Sequence, residues 1–151
     1  MGQFLAWKKG LALAAVLVSA SLTAPAWAEE DELSPTYTQC MINSDGSTGS
    51  IMACLQEAYD YWDAELNANY KAAQNYCNLY KEDEGAEAAQ DCLNKLKTAQ
   101  RNWLKYRDGM AKVSSFTSAN RGGSMESIDV LYNQVLIVRA QALLIAPPSL
   151  E

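Results

Sequence analysis

The chain has 151 residues, four cysteines, no histidine and a net charge of −6 at pH 7. The missing histidine excludes Ser-His-Asp chemistry, His-ligated zinc and the usual general base near neutral pH. The acidity argues against nucleic acid and anionic membrane as partners and for cationic ones, with plain solubility as an equal explanation.

At the start, Lys8 and Lys9 supply a positive region, residues 10–23 an apolar run, and Ala26-Trp27-Ala28 a small-residue cleavage site. The sequence then turns sharply acidic at Glu29-Glu30-Asp31-Glu32. The apolar run falls short of the roughly 20 residues that span a bilayer, so residues 1–28 are expected to be a signal peptide cleaved after Ala28. Glu29, and not a cysteine, directly follows the cleavage site, so a lipid anchor is not expected, and the mature protein should be periplasmic or secreted. Removing 28 residues leaves 123, a single domain's length, and removes two lysines and no acids, taking the net charge from −6 to −8.

Residues 29–50 read as an acidic lead-in followed by a turn-rich loop, NSDGSTGS, over 43–50. From Ile51 the period becomes helical. Leu55, Tyr59, Trp62, Leu66, Tyr70, Ala73, Cys77 and Tyr80 form one apolar stripe, with Ser50 as its cap. Gly85, after three acids, suits a left-handed C-terminal position. A second stripe runs Ala89, Leu93, Leu96, Ala99, Trp103, Tyr106, Met110 and Val113, then fades into a polar loop from Ser114. Ser124 is the expected cap of a third helix, marked by Ile128, Leu131, Val135, Val138, Ala142 and Ile145 and stopped by Pro147-Pro148. Asn133, Gln134, Arg139 and Gln141 interrupt that helix, so no second membrane span is expected. Nothing alternates with period two. The predicted fold is all-α: a long antiparallel helical hairpin with a third packed helix over residues 51–146, then a short tail over 147–151.

Cys40, Cys54, Cys77 and Cys92 are an even set in an exported small domain, which implies disulfides. Gaps of 14, 23 and 15 fit neither a zinc site nor a C-x-x-C redox pair, so no metal and no cofactor are expected. Three pairings are open. A hairpin turning at Glu84-Gly85 puts residues whose numbers total about 169 at one level, which sets Cys77 beside Cys92. The favoured pairs are therefore Cys77–Cys92 and Cys40–Cys54. The same register sets Leu66 near Trp103, Tyr70 near Gln100 and Asp63 near Arg107.

Asp63, Asn67 and Tyr70 share one helix face, and Gln100, Trp103 and Arg107 repeat that spacing on the next helix. They are expected to form the polar seam of the hairpin, with Arg107 bridging to Asp63, in preference to a reactive site. Asp60, Asp63 and Asp108 offer carboxylates, but glycosidase-like chemistry needs a pair in a cleft, and a short bundle provides little of one. No enzyme activity is expected. Tyr59, Tyr61, Trp62, Tyr76 and Tyr80 are a sugar-stacking set only to the extent that they leave the core.

Two segments carry a family resemblance: Asp63-Ala-Glu-Leu66-Asn67-Ala-Asn-Tyr70, and Ala99-Gln100-Arg101-Asn-Trp103-Leu-Lys-Tyr106-Arg107-Asp108. With Cys40, Cys54, the Gly122-Gly123-Ser124 turn and Arg139, they resemble the LprI-type lysozyme inhibitors from about Gln39 onward. The resemblance implies an exported helical binding protein, with a cationic lysozyme or another envelope protein as partner. The alternative is a periplasmic structural or adaptor domain without an enzyme target. For inhibition, a projection must enter the enzyme's cleft, and the loops at 43–50 and 114–127, the second with Arg121, Gly122, Gly123 and Ser124, are the candidates. Members of the family often carry a cysteine after the Arg-Asp pair and a partner beyond the Gly-Gly-Ser turn. Here Met110 sits near the first position and no cysteine follows Cys92, so the 114–127 loop lacks that staple and is expected to be less rigid.

Overall fold

A computed structural model describes residues 32–148 of the protein. The expected signal peptide and the end of the tail lie outside the described residues. Four helices follow one another: α1 (Tyr37–Asn43), α2 (Thr48–Asp83), α3 (Ala86–Thr117) and α4 (Glu126–Ile145). The described residues contain no strand.

α2 begins three residues earlier than the apolar stripe indicates. Its cap is Ser47, not Ser50: the Ser47 hydroxyl accepts the Ser50 backbone N–H at 3.2 Å. α2 and α3 are separated by Glu84 and Gly85 alone. Gly85 has φ +95°, as the sharp reversal requires, but with ψ 169° it is extended instead of left-handed helical. α3 continues through Thr117, past the point where its stripe fades, and α4 starts behind Met125 with no side-chain cap. Ser124 is therefore not the cap; Ser127 Oγ donates to its carbonyl at 3.4 Å.

As expected, α2 and α3 form an antiparallel hairpin and α4 packs on it, but α4 takes the larger share of the core. α2 packs more extensively on α4 than on α3. α4 buries Leu131, Val135, Val138 and Ala142, while α3 buries only Ala89 and Ser114. One cluster joins Leu33, Leu55, Ala58, Leu131 and Val135; a second joins Leu66, Val138 and Ala142, walled by Trp62, Trp103 and Ile145. α4 is the one described helix long and apolar enough to cross a membrane, despite its polar interruptions. Its inner face, Leu131, Val135, Val138 and Ala142, is the centre of the core, while Tyr132, Leu136, Leu143 and Leu144 lie exposed on the rest of it.

From Glu32 onward the lead-in packs onto the bundle. Leu33 is buried between α2 and α4, and its carbonyl accepts the Trp62 indole N–H at 2.5 Å. A half-buried indole needs a polar partner for its ring nitrogen, and the lead-in backbone supplies it. α1 then follows, a helix that the turn-rich composition did not announce. Disulfides join Cys40 to Cys54, tying α1 to α2, and Cys77 to Cys92, tying α2 to α3 near the hairpin tip.

Candidate functional site

The antiparallel course of α2 and α3 places the start of α2 and the end of α3 together, opposite the Gly85 turn. Ile51, Met52 and Leu55 from the start of α2 share a cluster with Ile128 and Leu131 from the start of α4. The two candidate loops, now 44–47 and 118–125, therefore emerge at one end of the bundle.

Each loop is fastened by carboxylates. In the first, Asp45 Oδ1 accepts the Ser47 backbone N–H at 2.9 Å and the Ser50 hydroxyl at 2.6 Å. The Ser50 hydroxyl bond, then those from Ser47, hold Asp45 down at about 2. In the second loop, Glu126 accepts the Ser115 hydroxyl on one oxygen and the Gly122 N–H at 2.6 Å on the other. Asp129 accepts the Ser118 hydroxyl and the Asn120 side-chain amide, the latter at 3.0 Å. Hydrogen bonding, from Ser115 and then Gly122 for Glu126 and from Ser118 and then Asn120 for Asp129, lowers both carboxyls from their ordinary values. Both acids lie in the first turn of α4, where the helix dipole also favours negative charge. Without the cysteine staple, four donors converge on two carboxylates and hold the path of the second loop.

Two glycines make that path possible. Gly122 has φ +77°, which L side chains rarely adopt. A Cβ on Gly123 would lie 3.1 Å from the Asn120 carbonyl oxygen. Just before them the loop presents Arg121, whose guanidinium carbon sits 4.5 Å from the centre of the exposed Phe116 ring. Ser124 is exposed beside it.

The latch has a definite pH response. Both carboxyls titrate lower in the folded protein than in the unfolded chain, so their contribution is complete above the unfolded values, near 4, and is lost as pH falls through the lowered folded ones. Amide exchange at Gly122 should thus show protection that is flat from pH 5 to 8, after correction for intrinsic exchange, and falls in acid. Glu126→Gln should remove that protection at neutral pH; retained protection in this variant would show that the carboxylate does not hold the loop.

The motif residues lie elsewhere, along the seams between helices. Leu66 is buried, and Trp103 packs against its cluster. Gln100 accepts the Gln141 side-chain amide at 3.2 Å, joining α3 to α4. Arg139 of α4 lies over Trp62 of α2, 5.6 Å from the ring centre. The expected bridge from Arg107 to Asp63 is not formed. Arg107 donates twice to its neighbour Asp108, at 2.9 and 3.0 Å, and stacks over Trp103 at 5.5 Å. Asp63 instead accepts the Asn67 amide at 3.1 Å, one turn along its own helix. Burial lowers the Arg107 pKa, but the Asp108 bond and the charges of Tyr59, Asp108 and Asp63 outweigh it and the net shift is upward. Tyr70 is half-buried, while Tyr106 is exposed and lines a shallow groove with Trp103, Leu136 and Leu144. Asp60 accepts the Gln56 amide at 2.8 Å, so each of the three candidate carboxylates is already engaged.

This seam decides the family. The model of the family described as "Lysozyme inhibitor LprI" matches residues 40–142, from the first cysteine to the last buried residue of α4. The chain belongs to the LprI family. It is 36% identical over 107 residues to "Uncharacterized protein R02472" of Rhizobium meliloti (strain 1021), covering 69% of this chain and 70% of that one. It is 37% identical over 68 residues to "Uncharacterized protein YecT" of Escherichia coli (strain K12), covering 44% of this chain and 42% of that one. No solved structure matches. In this LprI-family chain, sequence reasoning missed Asp45, Ser115, Ser118 and Asp129. The available signal was the pair of acids at Glu126 and Asp129, three residues apart just behind a Gly-Gly turn.

Proposed function

We propose that the protein is exported, freed from residues 1–28 after Ala28, and acts in the cell envelope by binding and blocking a lysozyme, without catalysis of its own. The LprI-family match over residues 40–142 carries this reading. The loop end gives it a physical form. Lysozymes are commonly cationic and cut with carboxylates in an open cleft. An acidic protein is steered toward such an enzyme. Two loops held in shape by Asp45, Glu126 and Asp129 meet the cleft at little ordering cost. Arg121, exposed at the tip of the larger loop and backed by Phe116, pairs with a cleft carboxylate.

A turbidity assay with cell walls and a panel of lysozymes tests this. The protein should slow lysis by at least one of them, and Arg121→Glu should raise the inhibition constant at least ~10-fold. If no lysozyme is slowed at high micromolar protein, the inhibitor reading fails and the adaptor reading takes its place. If inhibition survives Arg121→Glu unchanged, the loop tip is not the blocking element.

A further inference from the structure

The net charge conceals a reversal on one helix. Between Lys95 and Lys112, α3 carries six cations and one anion, net +5, in a chain of net −6. Two of the cations are occupied: Lys95 pairs with Asp91 and Arg107 with Asp108. The other four, Lys97, Arg101, Lys105 and Lys112, are exposed and form no ion pair among the described residues. At about 100° per residue they fall within an arc of roughly 80°, in a row roughly 22 Å long. That arc is the outer face of α3, away from Trp103 and Ser114, which face the bundle. Asp108 lies in the same arc, with its charge already engaged by Arg107.

We infer that the outer face of α3 is a docking surface for an anionic lipid membrane, read through its phosphate headgroups. The row follows a single unbroken helix and spreads its charges, so it matches an array of phosphates in a plane and not one small anion. Two apolar side chains flank the cations: Leu104, 38% exposed, and Phe116, 67% exposed. A headgroup layer accepts such groups, whereas a soluble polyanion leaves them in water. Screening confines electrostatics to about 8–10 Å at ordinary salt. The four cations of this arc therefore govern contact at this face, and the acidity of the rest sets which side turns to the membrane. This surface shares Phe116, which backs Arg121, with the inhibitor reading, but its four cations on α3 take no part in that reading.

The test is sedimentation of the protein, produced from its whole gene and purified, with vesicles of phosphatidylcholine alone or with a third phosphatidylglycerol. The anionic vesicles should bind at least ~10-fold more tightly, given roughly five-fold per surface-facing cation, and the difference should vanish at high salt. Replacing all four residues (Lys97→Gln, Arg101→Gln, Lys105→Gln, Lys112→Gln) should erase the preference with helical circular dichroism unchanged. A Lys-to-Arg version of the three lysines should keep it, so misfolding is separable from charge loss. Phe116→Ser should weaken binding to vesicles and leave any binding of soluble polyphosphate unchanged. Equal binding to both vesicle types, or an unaffected four-residue variant, overturns the proposal. So does binding of soluble polyphosphate, indifferent to Phe116→Ser, without vesicle binding, since the face would then read a polyanion.

Discussion

Leu66→Ala should lower the unfolding free energy by about 2–5 kcal/mol, the range for a truncated core leucine. Leu66 is 2% exposed and sits where three helices meet: Val138 and Ala142 of α4 touch it from one side, and Trp103 of α3 from another. With only two buried residues of its own, α3 has few other ways to hold on to the core. The cavity would therefore loosen α3 as well as remove buried area. Urea titration checks this through the midpoint and the slope. Tyr106→Ala is the control, because Tyr106 belongs to the same family motif yet is 55% exposed, and its loss should stay under about 1 kcal/mol. Equal losses at both positions would mean that the three-helix junction around Leu66 is not the centre of stability.

The pair also shows what was legible in the sequence. Spacing alone identified the inner faces of α2 and α4, because Leu55, Leu66, Val135 and Val138 recur at helical intervals and are buried. The hairpin register followed from cysteine symmetry about Glu84 and Gly85. Periodicity, however, gives a helix face and not its neighbour. It showed nothing of α4 displacing α3 as the main partner of α2, and Tyr106 and Val113, both on the α3 stripe, are largely exposed. Leu33 was hidden for a related reason: one apolar residue among acids has no period, and only the fold brings it to Trp62. The loop latch depends on backbone that the sequence marks only by glycine. Until Gly122 takes a positive φ, nothing directs its N–H at Glu126. Family membership was legible because its motif lies on the seams, where Gln100, Trp103 and Arg139 meet other helices. At the candidate binding end the motif comprises only Cys40, Cys54 and the Gly122-Gly123-Ser124 turn, residues that shape the loops, so the same signal says less about a target.

The two disulfides should separate stability from binding. Removing Cys77–Cys92 by paired alanine substitution should cost roughly 3 kcal/mol on the chain-entropy estimate for a loop of about 15 residues. The effect should be local. Both hydrophobic clusters lie short of the tip, and between the two cysteines only Ala89 is buried. Local opening has a low free energy where few apolar contacts oppose it. Amides from 78 to 91 should thus exchange much faster in this variant, while those near Leu55, Leu66 and Val138 keep their protection. Cys40–Cys54 closes a loop of similar length, so the same estimate gives its removal a similar cost. Its structural consequence falls at the other end, where it frees α1 and with it the Asp45 turn that leads into α2. If the loop end blocks an enzyme, inhibition should fall in the Cys40–Cys54 variant and persist in the Cys77–Cys92 variant, with both measured well below their unfolding midpoints. The reverse pattern would move the binding surface to the hairpin tip and away from Arg121.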